Sequence, residues 1–486
     1  MTTWRSRNSA VIRGHNGETA GHYCPLSVDD RPLTVDNRFD SVLRHERSTV
    51  SSYSFHLGWF QAGFRAPAWN REWSGHSTRD WAKGDFFVDL ARDLERGCFD
   101  FMLIEDSNYI PDDYGNSYAS PLKHGHRAPK HDPLALAAVL SQHTSRLGII
   151  PTVATTEISP FRLARAMSTL DHLSAGRIGW NIVTGSNDRA AQNFGFEAQP
   201  AHDQRYELAD EFVAVVRSLW QSWEPDAVLL DQDTGVYVDA AKVHTVNHQG
   251  TYFKSRGPLN TLPSPQYEPV LAQAGNSPRG QLFAAQHAEV VLAGGSDHTK
   301  MRALRDNVRS QAERLGRDPD SVKVFFLIDP VLGETDNEAK EKAKRIRDAN
   351  ANDLEYVLSN WSSTTTTDLS QFDPDQRLPE DLKTNGHQSQ LDGMVSSGKT
   401  LRQLVRDSYA HEENGFVGRP DTVAARMQDA AAEIGADGFL LSTRMPTRRY
   451  LSEVVDGLVP ALQRRGAVRG SYRHETFRAN LLDGAS

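Results

Sequence analysis

The sequence predicts a (β/α)8 barrel, an α/β fold also called a TIM barrel, that carries long insertions. Eight short apolar runs of strand type recur along the chain, and each is followed by a segment with helical periodicity. This alternation predicts a parallel sheet of βα units, and eight units favour a closed barrel over an open sheet. The 486 residues leave room for the roughly 250 that such a barrel needs, with insertions besides.

The first four predicted strands alternate with helices whose starts are well marked. Asp132-Pro133 and Ser159-Pro160 each supply an N-cap residue followed by proline at the first helical position. Gly176 is typical of the residue that ends a helix. The four strands are predicted at 53–60, 101–106, 147–153 and in the stretch AGRIGWNIVTGSND at 175–188.

The second half of the predicted barrel begins with a strongly amphipathic helix, HDQRYELADEFVAVVRSLW, which starts at His202. Strands five to eight are predicted at 269–275, 288–294, 322–332 and 436–443. The remaining helices are predicted at 278–287, 297–316, 335–359, 420–434 and 449–465.

Residues 51–470 are predicted to form a single barrel domain with two insertions. The first, residues 224–265, has the pattern of a small β-hairpin. The second, residues 360–415, is long enough to be a lid, with a disordered polar loop as the alternative. Residues 1–50 are polar and aperiodic, which predicts a partly disordered extension or, alternatively, a docking arm in an oligomer. Residues 471–486 are assigned to a C-terminal tail.

Composition excludes several classes of partner. The net charge is −9 and the pI is about 6.1, so there is no basic excess for binding nucleic acid. No apolar run is long enough for a membrane span, and the first residues lack the apolar core of a signal peptide. The two cysteines form neither a disulfide framework nor a metal-ligand spacing, so we expect a cytoplasmic protein without a metal site.

Uncharged polar residues crowd the predicted carboxyl ends of the strands, where barrel active sites lie. Small neutral donors and acceptors suit a large, flat, heteroatom-rich cofactor. In the fourth strand, Gly179 and Asn181 should point into the barrel, where Asn181 either contacts that cofactor or is a satisfied core amide. Ser277 opens a helix directly after the fifth strand, an arrangement that binds phosphate, although ordinary helix capping produces the same letters.

Four segments taken in order carry a family resemblance: FDFMLIEDS, GIIPTVATTEISPFRLARAMSTLDHLSAGRIGWNIVTG, HDQRYELADEF and QAGNSPRG. From about residue 53 to 465 the chain resembles the flavin-dependent monooxygenases of the bacterial-luciferase-like superfamily, in the group of nitrilotriacetate and dibenzothiophene-sulfone monooxygenases. The resemblance implies a luciferase-like (β/α)8 barrel, reduced FMN as a loosely held co-substrate, molecular oxygen, and a separate NAD(P)H-dependent flavin reductase. We also expect a homodimer or homotetramer.

The resemblance also implies roles for five residues. Asp106 and Thr152 would line the isoalloxazine ring, His202 and Tyr206 would approach the phosphate, and Ser277 would bind it. The alternative for His202 is an N-cap role, and for Tyr206 a half-buried place on its helix. Asn181 joins this set through the strand-end argument and not through the resemblance.

The substrate side departs from the family pattern. Relatives carry a GHH-type run followed by WRHP, whereas this chain reads GWFQAGFRAPAWNREWSG. The substrate therefore does not transfer, and we expect a small organic compound that contains sulfur, nitrogen or halogen. His56 and His411 are candidates to protonate or steady the oxygen adduct of the flavin.

Three other functions stay open from the sequence. They are a deazaflavin (F420)-dependent oxidoreductase on the same barrel, a non-catalytic flavin-binding protein, and a metal-dependent barrel hydrolase that uses histidine-rich loops. The run HGHRAPKHD at 124–132 is the loop that the hydrolase would use, and we interpret it as a solvated loop.

Overall fold

The computed structural model describes residues 54–62, 81–351, 353–408, 415–443 and 446–483. The predicted N-terminal extension and His411 lie outside these ranges, as does most of the segment that departs from the family pattern. Eight parallel strands form a closed barrel in which neighbours in sequence are neighbours in space. The predicted fold class is confirmed.

Each of the eight barrel strands lies within or overlaps a predicted one. The seventh prediction is too long, because residues after 328 leave the barrel and Val331–Leu332 pairs with Val417–Gly418 instead. The barrel strands are β1 (His56–Gln61), β2 (Phe101–Ile104), β3 (Gly148–Ala154), β4 (Gly179–Val183), β5 (Val270–Ala274), β6 (Val290–Ala293), β7 (Lys323–Ile328) and β8 (Gly438–Ser442).

Helices surround the barrel and fill the insertions. None of the helices in the described residues is both long and apolar enough to cross a membrane. They are α1 (Asp85–Arg96), α2 (Ala119–His124), α3 (Pro133–Ser141), α4 (Pro160–Leu173), α5 (Asp188–Asn193), α6 (His202–Trp220), α7 (Pro278–His287), α8 (His298–Arg314), α9 (Asp336–Ala351), α10 (Leu354–Thr365), α11 (Gln388–Ser396), α12 (Leu401–Asp407), α13 (Pro420–Ile434), α14 (Arg448–Ser452), α15 (Val459–Arg464) and α16 (Phe477–Leu482), with a π-helical turn, Glu453–Leu458, between α14 and α15.

The strands are apolar on both faces because each face packs against a different layer. Outward side chains such as Trp180 join the helices in the main core, and inward ones such as Phe101 and Phe325 form a second core inside the barrel. Gly58 and Gly438 make room for those rings, since a Cβ at Gly58 would lie 2.6 Å from the Phe101 ring, and one at Gly438 would overlap Phe325. The interior is thus filled by side chains, as barrel geometry requires.

The last helix, α16, closes the amino end of the barrel. Phe477 and Leu481 belong to the interior core, and a Cβ at Gly148 would lie 2.6 Å from the Phe477 ring. Residues 471–483 are therefore part of the barrel rather than the tail that the sequence suggested. The hydrophobic pattern was too short, at six helical residues, to reveal this role.

Both insertions are ordered where the structure describes them. Residues 224–265 contain two antiparallel hairpins, Val228–Asp231 with Val236–Val238 and His248–Gln249 with Lys254–Ser255. The second insertion contains α10, α11 and α12, which share a hydrophobic core of their own. The disordered alternative is wrong for residues 353–408, and the single helix predicted at 335–359 is the pair α9 and α10.

Truncation of Phe477, the α16 residue that plugs the amino end, should destabilise the whole barrel. Phe477→Ala is expected to lower the free energy of unfolding by about 3–5 kcal/mol, because a fully buried ring would leave a cavity. Urea unfolding followed by circular dichroism measures this change. Leu482→Ala on the same helix is the control, since Leu482 is 40% exposed and should cost far less. Equal losses for the two variants would contradict the plug.

Candidate active site at the carboxyl end of the barrel

The carboxyl ends of β1–β8 and the loops after them form the barrel mouth. Its floor is partly apolar: Phe60 is partly buried on the interior core, and Leu327, inward-facing by strand alternation, is 40% exposed. Polar residues line the ends of β3 and β4. The mouth therefore combines an apolar floor with a polar wall, as small-molecule sites commonly do.

Thr152 and Asn181 lie side by side at the polar wall. They are paired in register on β3 and β4, and Asn181 Nδ2 donates to Thr152 Oγ1 at 2.9 Å. Asn181 Oδ1 is buried and accepts no hydrogen bond from the described residues, and the same holds for the side-chain oxygens of Thr155, Thr156 and Gln273. Because an unsatisfied buried polar atom costs about 1–3 kcal/mol, this group of atoms suits the heteroatoms of a bound ligand.

Ser277, His202 and Tyr206 meet at the start of α7, as the predicted phosphate site requires. Ser277 is the N-cap of α7, with Pro278 at the first helical position, and its Oγ accepts from the Gly280 N–H at 3.1 Å. His202 Nε2 lies 3.4 Å from Ser277 Oγ. The Tyr206 hydroxyl is within hydrogen-bonding reach of Ser277.

His202 presents a defined ring atom to this site. Its Nδ1 lies 2.7 Å from an oxygen of Asp203, and since a carboxylate only accepts, Nδ1 carries the proton and a neutral ring leaves Nε2 as an acceptor. The N-cap of α6 is Ala201, so the N-cap interpretation of His202 is wrong. Tyr206 is only 6% exposed, and burial raises the pKa of its hydroxyl, which stays a neutral donor.

The nearest cation at this site is already compensated. The Arg279 guanidinium lies 5.2 Å from the Tyr206 ring centroid and pairs with Asp210, which also binds His287 Nε2 at 2.8 Å. The positive end of the α7 dipole is a further attraction for an anion at this site. Gly280 keeps the helix start close to the tyrosine, because a Cβ there would lie 2.8 Å from the Tyr206 hydroxyl.

Asp106 lies at the mouth beside a second carboxyl group, that of Glu157, which was not among the predicted site residues. Asn108 Nδ2 donates to Asp106 Oδ2 at 3.1 Å and to Glu157 Oε2 at 2.7 Å. Burial raises the pKa of Asp106 to about 6 and that of Glu157 to about 7. The signal was present in the sequence, since Glu157 lies four residues after the third predicted strand, in the loop at the carboxyl end of that strand.

The run HGHRAPKHD is neither a metal cluster nor a solvated loop. His124 and His126 pack their rings on Tyr356, and both are buried. Lys130 Nζ binds Glu105 and Ser107, each at 2.8 Å. Across the described ranges, no group of three or more His, Cys, Asp or Glu could hold a metal ion. The run instead ties the loop after β2 to α10.

The second insertion docks on the mouth through α10 and the loop that precedes α11. The carbonyl of Ser363 accepts from the Tyr109 hydroxyl at 3.1 Å and from Asn187 Nδ2 at 3.4 Å. Arg205, next to the phosphate site, donates to Asn385 Oδ1 at 3.0 Å and to the Asn385 carbonyl at 3.2 Å. The insertion is therefore fixed to the loop after β2 and to the segment that follows β4, including α6.

His387 is a second residue that the sequence analysis did not single out. It is exposed on the loop before α11, and its main-chain N–H donates to the Thr364 carbonyl at 3.0 Å. Desolvation by the surrounding protein, with the charges of Arg127 and Arg205, lowers its pKa to about 4, so the ring is neutral at physiological pH. Only the contact between the insertion and the mouth places it near the mouth, and no local pattern marks it.

The structure does not bring His56 to the mouth, which corrects its candidacy as a catalytic residue. His56 opens β1, so it lies at the amino end, fully buried. Its Nδ1 lies 2.7 Å from Asp100, which also binds Arg469 at 2.5 Å. These groups lie at the amino end of the barrel, which α16 closes, so they stabilise that end and do not face the mouth.

Comparison with known proteins gives one family and close relatives. The luciferase-like monooxygenase family model matches residues 61–438. The chain is 35% identical over 438 residues to the dibenzothiophene-sulfone monooxygenase of Rhodococcus erythropolis, covering 87% of this chain and 95% of that protein. It is 34% identical over 407 residues to nitrilotriacetate monooxygenase component A of Aminobacter aminovorans, covering 82% of this chain and 89% of that protein.

A solved structure is similar over nearly the same length. Riboflavin lyase, solved with a modified FMN and the substrate riboflavin, superposes with a TM-score of 0.80 at 32% identity. The match covers 89% of this chain and 97% of that one.

Removal of the Arg205 contact should loosen the insertion without unfolding the barrel. Arg205→Met keeps much of the side-chain volume but removes both hydrogen bonds to Asn385. We expect faster amide hydrogen exchange in residues 384–391 and unchanged exchange in β1–β8, measured by mass spectrometry. Arg256→Met, an exposed arginine of the first insertion, is the matched control. Unchanged exchange at 384–391 would contradict the docking role.

Proposed function

This chain belongs to the luciferase-like monooxygenase family, and from that premise we propose that it is the oxygenase component of a two-component system. In this proposal it uses reduced FMN and molecular oxygen to oxidise a small organic compound. One observation carries the choice of cofactor: a phosphate-type helix start with Ser277, His202 and Tyr206 lies at the same end of the barrel as a wall of unsatisfied neutral polar atoms.

The residues of the mouth fit FMN. Ser277, Tyr206 and the N–H groups of α7 would hold the phosphate, and Thr152, Asn181 and Asp106 would contact the ring system. Asn181 Oδ1 offers an acceptor for a ring N–H, which a purely structural amide would already have satisfied. Reduced FMN, when bound, supplies the electrons that activate molecular oxygen.

The protein groups around this site have three tasks. The docked insertion and the apolar floor restrict the access of water, which protects reactive oxygen chemistry from solvent. His387, neutral at physiological pH, is able to hold a proton at a ring nitrogen near the mouth. The helix start of α7 keeps the phosphate in place while the insertion covers the rest of the cleft.

A separate NAD(P)H-dependent flavin reductase is the partner that this proposal requires. One relative is named as component A, a name that implies a further component. A loosely held, freely exchanging FMN agrees with a phosphate site that relies on neutral donors and a helix start. We place both components in the cytoplasm, in agreement with the low cysteine content.

The proposed substrate is a small compound that contains sulfur, nitrogen or halogen. The names of the relatives give a sulfone and an aminocarboxylate as substrates of those proteins. The apolar floor at Phe60 and Leu327 supports a substrate with an apolar part.

A substrate panel tests the reaction. The purified protein, a generic flavin reductase, NADH, FMN and air should convert at least one member of the panel to a product that has gained one oxygen atom or lost its heteroatom group. Mass spectrometry with isotopically labelled dioxygen identifies the source of that oxygen. Product formation without oxygen, with reduced deazaflavin in place of reduced FMN, would favour the oxidoreductase alternative and contradict the proposal.

A charge placed at the phosphate site should weaken FMN binding. Ser277→Asp retains an N-cap residue and so the helix start, but its carboxylate repels the phosphate. We expect at least about a tenfold loss of affinity for reduced FMN, equivalent to roughly 1.4 kcal/mol, measured by anaerobic fluorescence titration. Ser159→Asp, at the other Ser–Pro helix start, is the matched control and should bind as the parent does.

A further inference from the structure

Two carboxyl groups on different loops are joined by a single amide at the mouth. Asp106 follows β2 and Glu157 follows β3, and Asn108 Nδ2 donates one hydrogen to each of them. Asn108 is itself held, because its carbonyl accepts from Asn193 Nδ2 of α5 at 2.7 Å. Both carboxyl groups are half-buried, so the pair lies at the edge of the cleft.

The cations around this pair are bound to a third carboxylate. Lys130 binds Glu105 at 2.8 Å, and Arg127 lies 3.7 Å from the same residue. The charge of Lys130 lowers the pKa of Asp106, and that of Glu105 raises it. Lys130 also lowers the pKa of Glu157. Lys130, Asn108 and the Ser107 N–H, which donates to Asp106 at 2.8 Å, favour the ionised form. Burial outweighs them at both carboxyl groups, and the charge of Asp106 adds to its effect at Glu157.

Buried polar atoms that lack a hydrogen-bond partner in the described residues lie beside the pair and indicate a ligand-binding site there. Thr155 and Thr156 lie between β3 and Glu157, and they are 1% and 8% exposed. The hydroxyl oxygen of each has no hydrogen-bond partner in the described residues, and neither has the amide oxygen of Asn181 on the neighbouring strand. The acidic pair thus borders a wall whose donors and acceptors are available to a ligand.

Two desolvated carboxylates that face one neutral amide do not both ionise readily, because burial and like charge both favour the protonated form. We propose that Asp106 and Glu157 share one proton at neutral pH, so that the mouth keeps a carboxylic O–H donor for a bound ligand. The raised pKa values of both groups agree with this assignment. Glu157 acts through Asn108 and Asp106, which makes it a positioning residue.

The shared proton gives the site an acid beside its neutral wall. When a ligand oxygen or nitrogen takes the proton, the O–H bond breaks and the pair is left as two carboxylates. Water then returns a proton, so the pair is regenerated and needs no other reactant. This inference deepens the proposed function, since the ligand would be the flavin or the substrate, but the proton is detectable without either.

Infrared titration of the protein alone tests the shared proton. We compare the parent with Glu157→Gln, Asp106→Asn and the control Glu313→Gln, an exposed residue of α8. Burial also raises the pKa of Asp113 to about 6, so its band should be present in all four proteins. In the parent and the control, a further carboxylic acid C=O band from the pair should disappear between about pH 5 and about pH 8. In Glu157→Gln and Asp106→Asn, the remaining carboxyl group should titrate at lower pH, because a like charge has been removed. No band beyond that of Asp113 in this range in the parent, or the same bands in all four proteins, would overturn the proposal.

Thermal melts at several pH values give a second test, because a purely structural role of Glu157 would change the melting temperature equally at every pH. A carboxyl group whose pKa is raised on folding stabilises the protein below its unfolded pKa and loses that stabilisation as pH rises through the folded value. The melting temperature of Glu157→Gln relative to the parent should therefore rise from pH 5 to pH 8. A constant difference would contradict the proposal. If the infrared band of the pair is present but FMN does not bind, the shared proton stands and the proposed function fails.

Discussion

Aromatic packing inside the barrel decides where a ligand can bind. The Phe101 ring packs edge-to-face on Phe325 and tilted against Phe477, with centroids 4.9 and 5.9 Å apart, and the three rings fill the amino half of the interior. Glycines on β1 and β8 provide the space for two of them. Since a filled interior has no room for a cofactor, the polar chemistry of the chain is confined to the opposite end. The buried group of His56, Asp100 and Arg469 belongs to the filled end for the same reason.

Charge is arranged at the mouth so that its inner wall stays neutral. Arg279 is bound to Asp210, Lys130 to Glu105, and Arg205 to carbonyl and amide oxygens of the insertion. Toward the carboxyl ends of β3 and β4, the inward-facing polar side chains are the hydroxyl of Thr152 and the amide of Asn181. Such a wall is able to recognise the edge of a polar ring by geometry alone, without the large desolvation cost of an unpaired charge.

The sequence predicted the barrel because its strands and helices carry strong local signals. Each strand was found from its apolar run, and Asp132, Ser159 and Ser277 mark helix starts as their side chains indicate. The juxtaposition of Ser277, His202 and Tyr206 was predictable for the same reason, since it is built on one helix start and one amphipathic helix. Contacts between distant segments were not predictable. His387 reaches the mouth only through the docking of an insertion, and the role of α16 depends on three-dimensional closure.

The errors in the site prediction also concern features that depend on three-dimensional position rather than on local sequence signals. His56 lies in a correctly predicted strand, but a position within a strand does not by itself say which end of the barrel it occupies. Glu157 lies beyond the end of β3 among uncharged strand-end residues, so the composition of the strand ends did not indicate a carboxylate there. The run at 124–132 looked solvated from its charge, yet its histidines are buried against Tyr356 of the insertion.

The docking of the second insertion through main-chain groups has an evolutionary consequence. Ser363 accepts through its carbonyl, and Asn385 is bound to the carbonyls of Gln199 and Pro200. Bonds of this kind do not depend on the identity of the neighbouring side chains. Mutations that reshape the inner surface of the insertion can therefore accumulate while its attachment to the barrel persists, so the cleft can change its selectivity on an unchanged scaffold.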